Sequence, residues 1–223
     1  MNQDALEVAD PRLRMDAARL GLWVFLAGEI LFFGALCVAY AQARAHAPEA
    51  FAAASAHTEL LLGTLNTALL LTSSAAIAIG AAAAQHGRQR AVAPWLAAGS
   101  ALGLAFVGVK AVEWHREWDE GLFPGPGFAL PGLHAGPAGD PAASPPGAEL
   151  FFAWYFTVTA LHALHLLVGV GLVSWLAWTH RRDDVIASQE AAPRIEGAAL
   201  YWHFVDVVWV VLYPLIYLVG PRS

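Results

Sequence analysis

The chain has 223 residues, of which 58% are hydrophobic and only 13% charged, with a formal net charge of −6. A water-soluble globule carries roughly twice that share of charge, and residues 60–84 and 150–179 contain no Asp, Glu, Lys or Arg, so a soluble fold is excluded. The single cysteine, Cys37, leaves no disulfide framework and no cysteine-built zinc or iron–sulfur site, and an acidic balance without a basic stripe argues against nucleic acid as a partner.

Residues 1–19 hold four acids and lack the basic-then-apolar layout of a cleaved signal, so they read as a cytoplasmic N-terminal segment with the first apolar run retained. About 20 apolar residues are needed to cross a hydrocarbon core, where lipid offers backbone groups no partner. Five runs meet that demand: 20–42, 58–84, 91–114, 150–179 and 197–220. The expectation is an all-α membrane protein with a single five-helix domain over 20–220, the fourth helix being long enough to tilt or protrude. Residues 119–148 contain seven prolines and seven glycines and read as an extended linker or docking loop. Arg12, Arg14, Arg19, Arg88, Arg90, Arg181, Arg182 and Arg194 fall on one side and Arg44, Arg116 and Arg222 on the other, which predicts N-terminus inside and C-terminus outside.

Polar groups inside these runs are costly to insert and therefore informative. Glu29 lies about 13 Å into the first run, close to the midplane, and nothing within a turn of its own helix can pair with it. A protonated, membrane-buried carboxylate is the expected state. His162 and His165 are three apart on the fourth run, and His203 and Asp206 repeat that spacing on the fifth, so each pair shares one helical face. Those two faces are expected to meet in a polar network. Lys110 and Glu113 have the same spacing near the end of the third run and read as a structural ion pair or a snorkelling lysine.

Simpler readings stand beside these. Interhelical hydrogen bonds account for the histidines without metal or haem ligation, and Asp206 then pairs with one of them. Ser73 and Ser74, and Gly28 with Gly34, suit close helix packing. Trp23, Trp95, Trp118, Trp202 and Trp209 read as interface anchors or lipid-facing bulk.

The runs Gly-Glu-Ile-Leu-Phe-Phe at 28–33, Leu-Asn-Thr-Ala-Leu-Leu-Leu-Thr-Ser-Ser at 65–74, His-Ala-Leu-His at 162–165 and Tyr-Trp-His-Phe-Val-Asp-Val-Val-Trp at 201–209, with the glutamate closing 106–114, resemble subunit III of the haem–copper oxidases. The resemblance touches all five runs in order. It implies a five-helix version of a fold in which two helix groups flank a lipid-filled V-shaped cleft. It further implies docking on catalytic subunit I, bound phospholipid, a bacterial plasma membrane, and haem and copper in partner subunits but none in this chain. No catalytic residue is implied. By resemblance Glu29 matches the family's carbodiimide-reactive membrane carboxylate, and His162, His165, His203, Asp206 and Glu113 match its polar positions. Arg194, with Glu196 leading into the last helix, and Trp202 are candidate lipid contacts. Trp114 stands where tyrosine is common and Ala163 where glycine is usual, while Pro214 is expected to interrupt the last helix, as in subunit III-like partners of nitric oxide reductases.

The leading expectation is an accessory, cofactor-free subunit of a terminal oxidase that binds lipid, supports proton uptake and sustains turnover in aerobic respiration. The alternatives are a partner of nitric oxide reductase, a membrane enzyme with haem or metal on its histidines, and a proton-coupled transporter titrating Glu29.

Overall fold

In the computed structural model the chain is described over residues 11–128, 130, 147–182 and 191–220. Residues 1–10 of the N-terminal segment, residues 129 and 131–146 of the Pro/Gly-rich loop, and Arg222 lie outside the described residues, as do the side chains of Arg12, Arg14 and Arg182.

Six helices follow one another: α1 (Pro11–His46), α2 (Pro48–Ala56), α3 (Leu60–Gln85), α4 (Gln89–Asp119), α5 (Ala148–Arg182) and α6 (Ala191–Tyr217). All but α2 are long and apolar enough to cross a membrane, and no strand occurs among the described residues. Three of the expected runs sit inside longer helices, whereas the second starts at Leu60 and the last runs from Ala191 to Tyr217.

The short α2 replaces what composition marks only as a connection. Pro48 explains both the break and the new start, because it excludes helical geometry at Ala47, which has φ −140° and ψ 58°, and is favoured in a helix's first turn. Phe51 of α2 then packs edge-on against Phe151, with ring centres 5.6 Å apart. Pro214 does not interrupt α6, contrary to expectation. It falls in the last turn, where its missing N–H frees only the Val210 carbonyl and three residues remain to be wound. Past it, Tyr40 Oη donates to the Leu215 carbonyl over 2.6 Å and Ser55 Oγ to the Ile216 carbonyl over 2.7 Å, satisfying acceptors that a helix end leaves orphaned.

Helices α3 to α6 pack as a bundle. Gly87, at φ +70°, turns α3 into α4 while Arg88 N–H donates to the Ala83 carbonyl over 2.9 Å, the closing bond of a Schellman cap. Gly103 of α4 lies so close to the Trp202 indole that a Cβ would stand 2.7 Å from its ring. By contrast α1 touches the bundle along one seam, Leu26, Phe33 and Tyr40 at sevenfold spacing, and leaves Trp23, Ile30, Leu31 and Val38 exposed. Trp202 and Trp209, expected as interface anchors or lipid-facing bulk, are buried instead, whereas Trp23, Trp95 and Trp118 are exposed. The core is thus sealed by tryptophan on glycine, a complementarity that hydropathy does not encode.

Candidate functional site

The polar residues read from the sequence separate into three places. The first lies between α1 and α5, where Glu29 Oε2 and His165 Nε2 are 3.2 Å apart with side chains 20% and 17% exposed. His165 Nδ1 is 2.7 Å from the Leu161 carbonyl, which can only accept, so Nδ1 carries a hydrogen. Nε2 is therefore the ring nitrogen that faces Glu29, where it can accept from a carboxyl O–H or, as imidazolium, donate to a carboxylate. Glu29 therefore finds its partner on another helix and is half-buried in the chain, not enclosed by it. Tyr201 Oη donates to the His165 carbonyl over 2.9 Å and ties α6 to this place.

Beside that pair runs an apolar cleft of about 430 Å³, lined by Leu22 and Phe25 of α1, Leu172 and Trp175 of α5, and Arg194 and Tyr201 of α6. Arg19 and Glu196 face each other across the same helices at 3.6 Å. Arg194 thus stands at an apolar surface, but Trp202 does not, because its side chain is spent inside the bundle.

The second place is the interior of the α3–α6 bundle, and it corrects the expected network. His203 Nδ1 meets Ser74 Oγ of α3 at 2.6 Å and not a histidine of α5. Asp206 is buried near the Ser74 hydroxyl with neither carboxylate oxygen in a well-formed hydrogen bond. His162 is buried with both ring nitrogens unpartnered, held by the Phe106 ring at 5.5 Å and the Trp209 ring at 5.1 Å. The four polar positions therefore share a bundle but no direct hydrogen bond joins His162 or His165 to His203 or Asp206. Asn66 of α3, fully buried with both amide atoms unpartnered, belongs to the same interior. Its amide, beside only Thr and Ser hydroxyls on an apolar helix, was the available signal.

The third place surrounds Glu113. Lys110 Nζ lies 3.2 Å from Glu113 Oε2, and both side chains are enclosed, so the lysine pairs and does not snorkel. Tyr217 Oη donates to Glu113 Oε1 over 2.6 Å, and Glu117 of the next turn joins through Tyr155 at 2.8 Å. Glu117 escapes a reading that ends the helix at residue 114, although Lys110, Glu113 and Glu117 continue one helical face, and Tyr155 and Tyr217 escape because nothing in their own runs points to a partner on α4. Among the described residues no three His, Cys, Asp or Glu side chains converge as metal ligands would.

A family model described as cytochrome c oxidase subunit III matches residues 147–221, which contain the α5 and α6 histidines and Asp206. The chain is 30% identical to the cytochrome c oxidase subunit 3 of Thermostichus vulcanus over 89% of its own length and 86% of that protein. It is 25% identical to the cytochrome bo(3) ubiquinol oxidase subunit 3 of Pseudomonas aeruginosa over 90% of its length and 84% of the relative. A probable quinol oxidase subunit 3 of Staphylococcus haemolyticus is 26% identical over 91% of this chain and 89% of its own. Five membrane-type helices carrying these motifs in order, together with similarity over most of both chains, make the chain a multi-pass membrane protein that belongs to the subunit III family of the cytochrome c and quinol oxidases.

Proposed function

We propose that the protein is the accessory subunit of a haem–copper terminal oxidase in a bacterial plasma membrane, docked on catalytic subunit I with its N-terminus inside. It binds phospholipid, supports proton uptake and prolongs turnover, while the haem and copper chemistry proceeds in the partner subunits. The observation that carries this reading is the Glu29–His165 pair at 3.2 Å beside an apolar cleft. A pair that holds one proton in two alternative positions can pass or buffer a proton with no backbone movement. The cleft between α1 and the bundle, with Arg194 among its lining residues, suits an acyl chain below an anionic headgroup. The named relatives are subunits of cytochrome c and quinol oxidases, which favours an oxidase partner over nitric oxide reductase.

The test is removal of this subunit from the purified oxidase by detergent, followed by spectra, initial rate and rate decay. Unchanged haem spectra with faster inactivation, together with a lower rate at high pH, are the expected results. Loss of a haem band on removal, or decay identical to that of the intact complex, refutes the reading.

A further inference from the structure

The cluster around Glu113 contains more acid than its own donors can satisfy. Lys110, Glu113 and Glu117 of α4, Tyr155 of α5 and Tyr217 of α6 are all buried, the three charged residues at 1%, 0% and 2% exposure. Lys110 Nζ donates to Tyr155 Oη at 2.6 Å and to Tyr217 Oη at 3.0 Å, and it stands as an ion pair 3.2 Å from Glu113 Oε2, an oxygen that receives no well-formed hydrogen bond. Its ion pair is with Glu113 and not with Glu117. The Tyr217 hydrogen goes to Glu113 Oε1 over 2.6 Å. The Tyr155 oxygen is within hydrogen-bond distance of two carboxylates, Glu117 Oε1 at 2.8 Å and Glu113 Oε1 at 3.1 Å, yet a phenol has one hydrogen to give. Glu117 Oε2 has no partner at all.

Charge leads to the same shortfall. One ammonium faces two carboxylates, and a second cation does not arrive from the helices packed around them. Arg116 is turned outward to Glu59 of the segment before α3, 2.8 Å away, and Glu120, which also acts on Glu117, is another acid. From α5 and α6 the groups presented are Tyr155, Tyr217 and the Trp209 ring, whose centre is 5.7 Å from Nζ. Helix α3 presents Gly63 against the Tyr217 ring. An uncompensated carboxylate in so dry a place is expensive.

We infer that Glu117 is a proton-binding site, carrying one exchangeable proton on Oε1 that it donates to Tyr155 Oη. The competition for the single Tyr155 hydrogen is then resolved. Tyr155 accepts from Lys110 and Glu117 and donates to Glu113, Glu113 remains the single counter-ion of Lys110, and the cluster is neutral. The site lies two residues from the end of α4, so its proton exchanges with the membrane boundary at the α2 end and not with the midplane place occupied by Glu29. The inference concerns this chain's own groups and holds whichever oxidase the subunit serves.

Infrared spectroscopy of the intact complex tests it through the carbonyl stretch of protonated carboxyl groups, which moves in D₂O. The difference between wild type and Glu117→Gln should contain one such band, and Glu113→Gln should lose it as well, because Glu117 then ionises as the counter-ion of Lys110. Lys110→Gln should raise the band about twofold, since both carboxyls must then be neutral. Glu117→Gln keeps a donor toward Tyr155, so it should assemble and melt as wild type does. If Lys110→Gln does not assemble, Glu117→Gln decides alone. An acid-region spectrum unchanged in Glu117→Gln, or a large fall in its melting temperature, means that Glu117 is ionised and overturns the inference.

Discussion

Glu29 of α1 and His165 of α5 meet with Oε2 and Nε2 3.2 Å apart, a titratable pair that ties α1 to the bundle between apolar stretches of both helices. Around it α1 is held by the seam of Leu26, Phe33 and Tyr40, by the Tyr40 hydroxyl on the Leu215 carbonyl and by Trp154 Nε1 donating to the Leu36 carbonyl over 2.9 Å. Because His165 Nδ1 is already committed to Leu161, the imidazole can serve Glu29 only through Nε2. Replacing His165 with Leu should leave Glu29 with no cation and force it into the neutral acid. A hydrophobic carbodiimide, which attacks the protonated carboxyl, should then label Glu29 more completely than in wild type. Equal or weaker labelling in His165→Leu would show that the pair already holds the proton on the carboxyl.

The Trp202–Gly103 contact sets a second expectation. A methyl group at residue 103 meets the indole ring at 2.7 Å, whereas residue 108, on the same helix, has nothing within 4 Å. Overpacking of a tight interior costs about 1–3 kcal/mol. Gly103→Ala should therefore lower the melting temperature of the detergent-solubilised complex clearly, and Gly108→Ala should leave it where it is. Similar melting for both variants would mean that α4 and α6 are not in this contact.

How much of this was legible before the fold was known depends on what lipid enforces. The five long helices were legible because backbone groups in hydrocarbon leave no alternative, and their apolar runs are longer than any soluble strand or helix requires. Faces were not. In helices apolar on all sides, nothing in the pattern distinguishes Trp202, which fills the notch at Gly103, from Trp95, which is exposed. Spacing correctly grouped His162 with His165 and His203 with Asp206 on their helices, but spacing cannot say that the first pair splits between an aromatic cage and Glu29. Ser74, read as packing, turned out to be the partner of His203. Helix α2 escaped because nine residues are too few for a hydropathy window, although Pro48 marked its start.

Tyr217 carries a third prediction. Its hydroxyl donates to Glu113 and accepts from Lys110, so Tyr217→Phe leaves a buried carboxylate and a buried ammonium each short of a bond. The expected cost is about 1–3 kcal/mol, read as a fall in melting temperature. Tyr213→Phe removes only the exposed contact to Thr64 Oγ at 2.8 Å and should cost much less. Indistinguishable melting of the two variants would count against an enclosed cluster.

The last prediction concerns how α6 ends. Its final carbonyls lie where α1, α2 and α6 meet, and two of them receive donors from outside the helix: Leu215 from Tyr40 at 2.6 Å and Ile216 from Ser55 at 2.7 Å. Ser55 is fully enclosed, so water cannot replace its hydroxyl, and Tyr40 is nearly so. Each deletion should cost about 1 kcal/mol, the usual net worth of one hydrogen bond, and more where the stranded acceptor stays dry. Tyr40→Phe and Ser55→Ala act on adjacent carbonyls of one helix end, so their effects should not simply add. Once either cap is lost the last turn frays, and fraying exposes the other carbonyl to water and lowers the cost of losing its donor. The double variant should therefore melt higher than the sum of the single losses predicts. Hydrogen exchange at Leu218 N–H, which donates to the Pro214 carbonyl over 3.2 Å, should accelerate in all three variants, and unchanged exchange there would mean that α6 holds its last turn without α1 and α2.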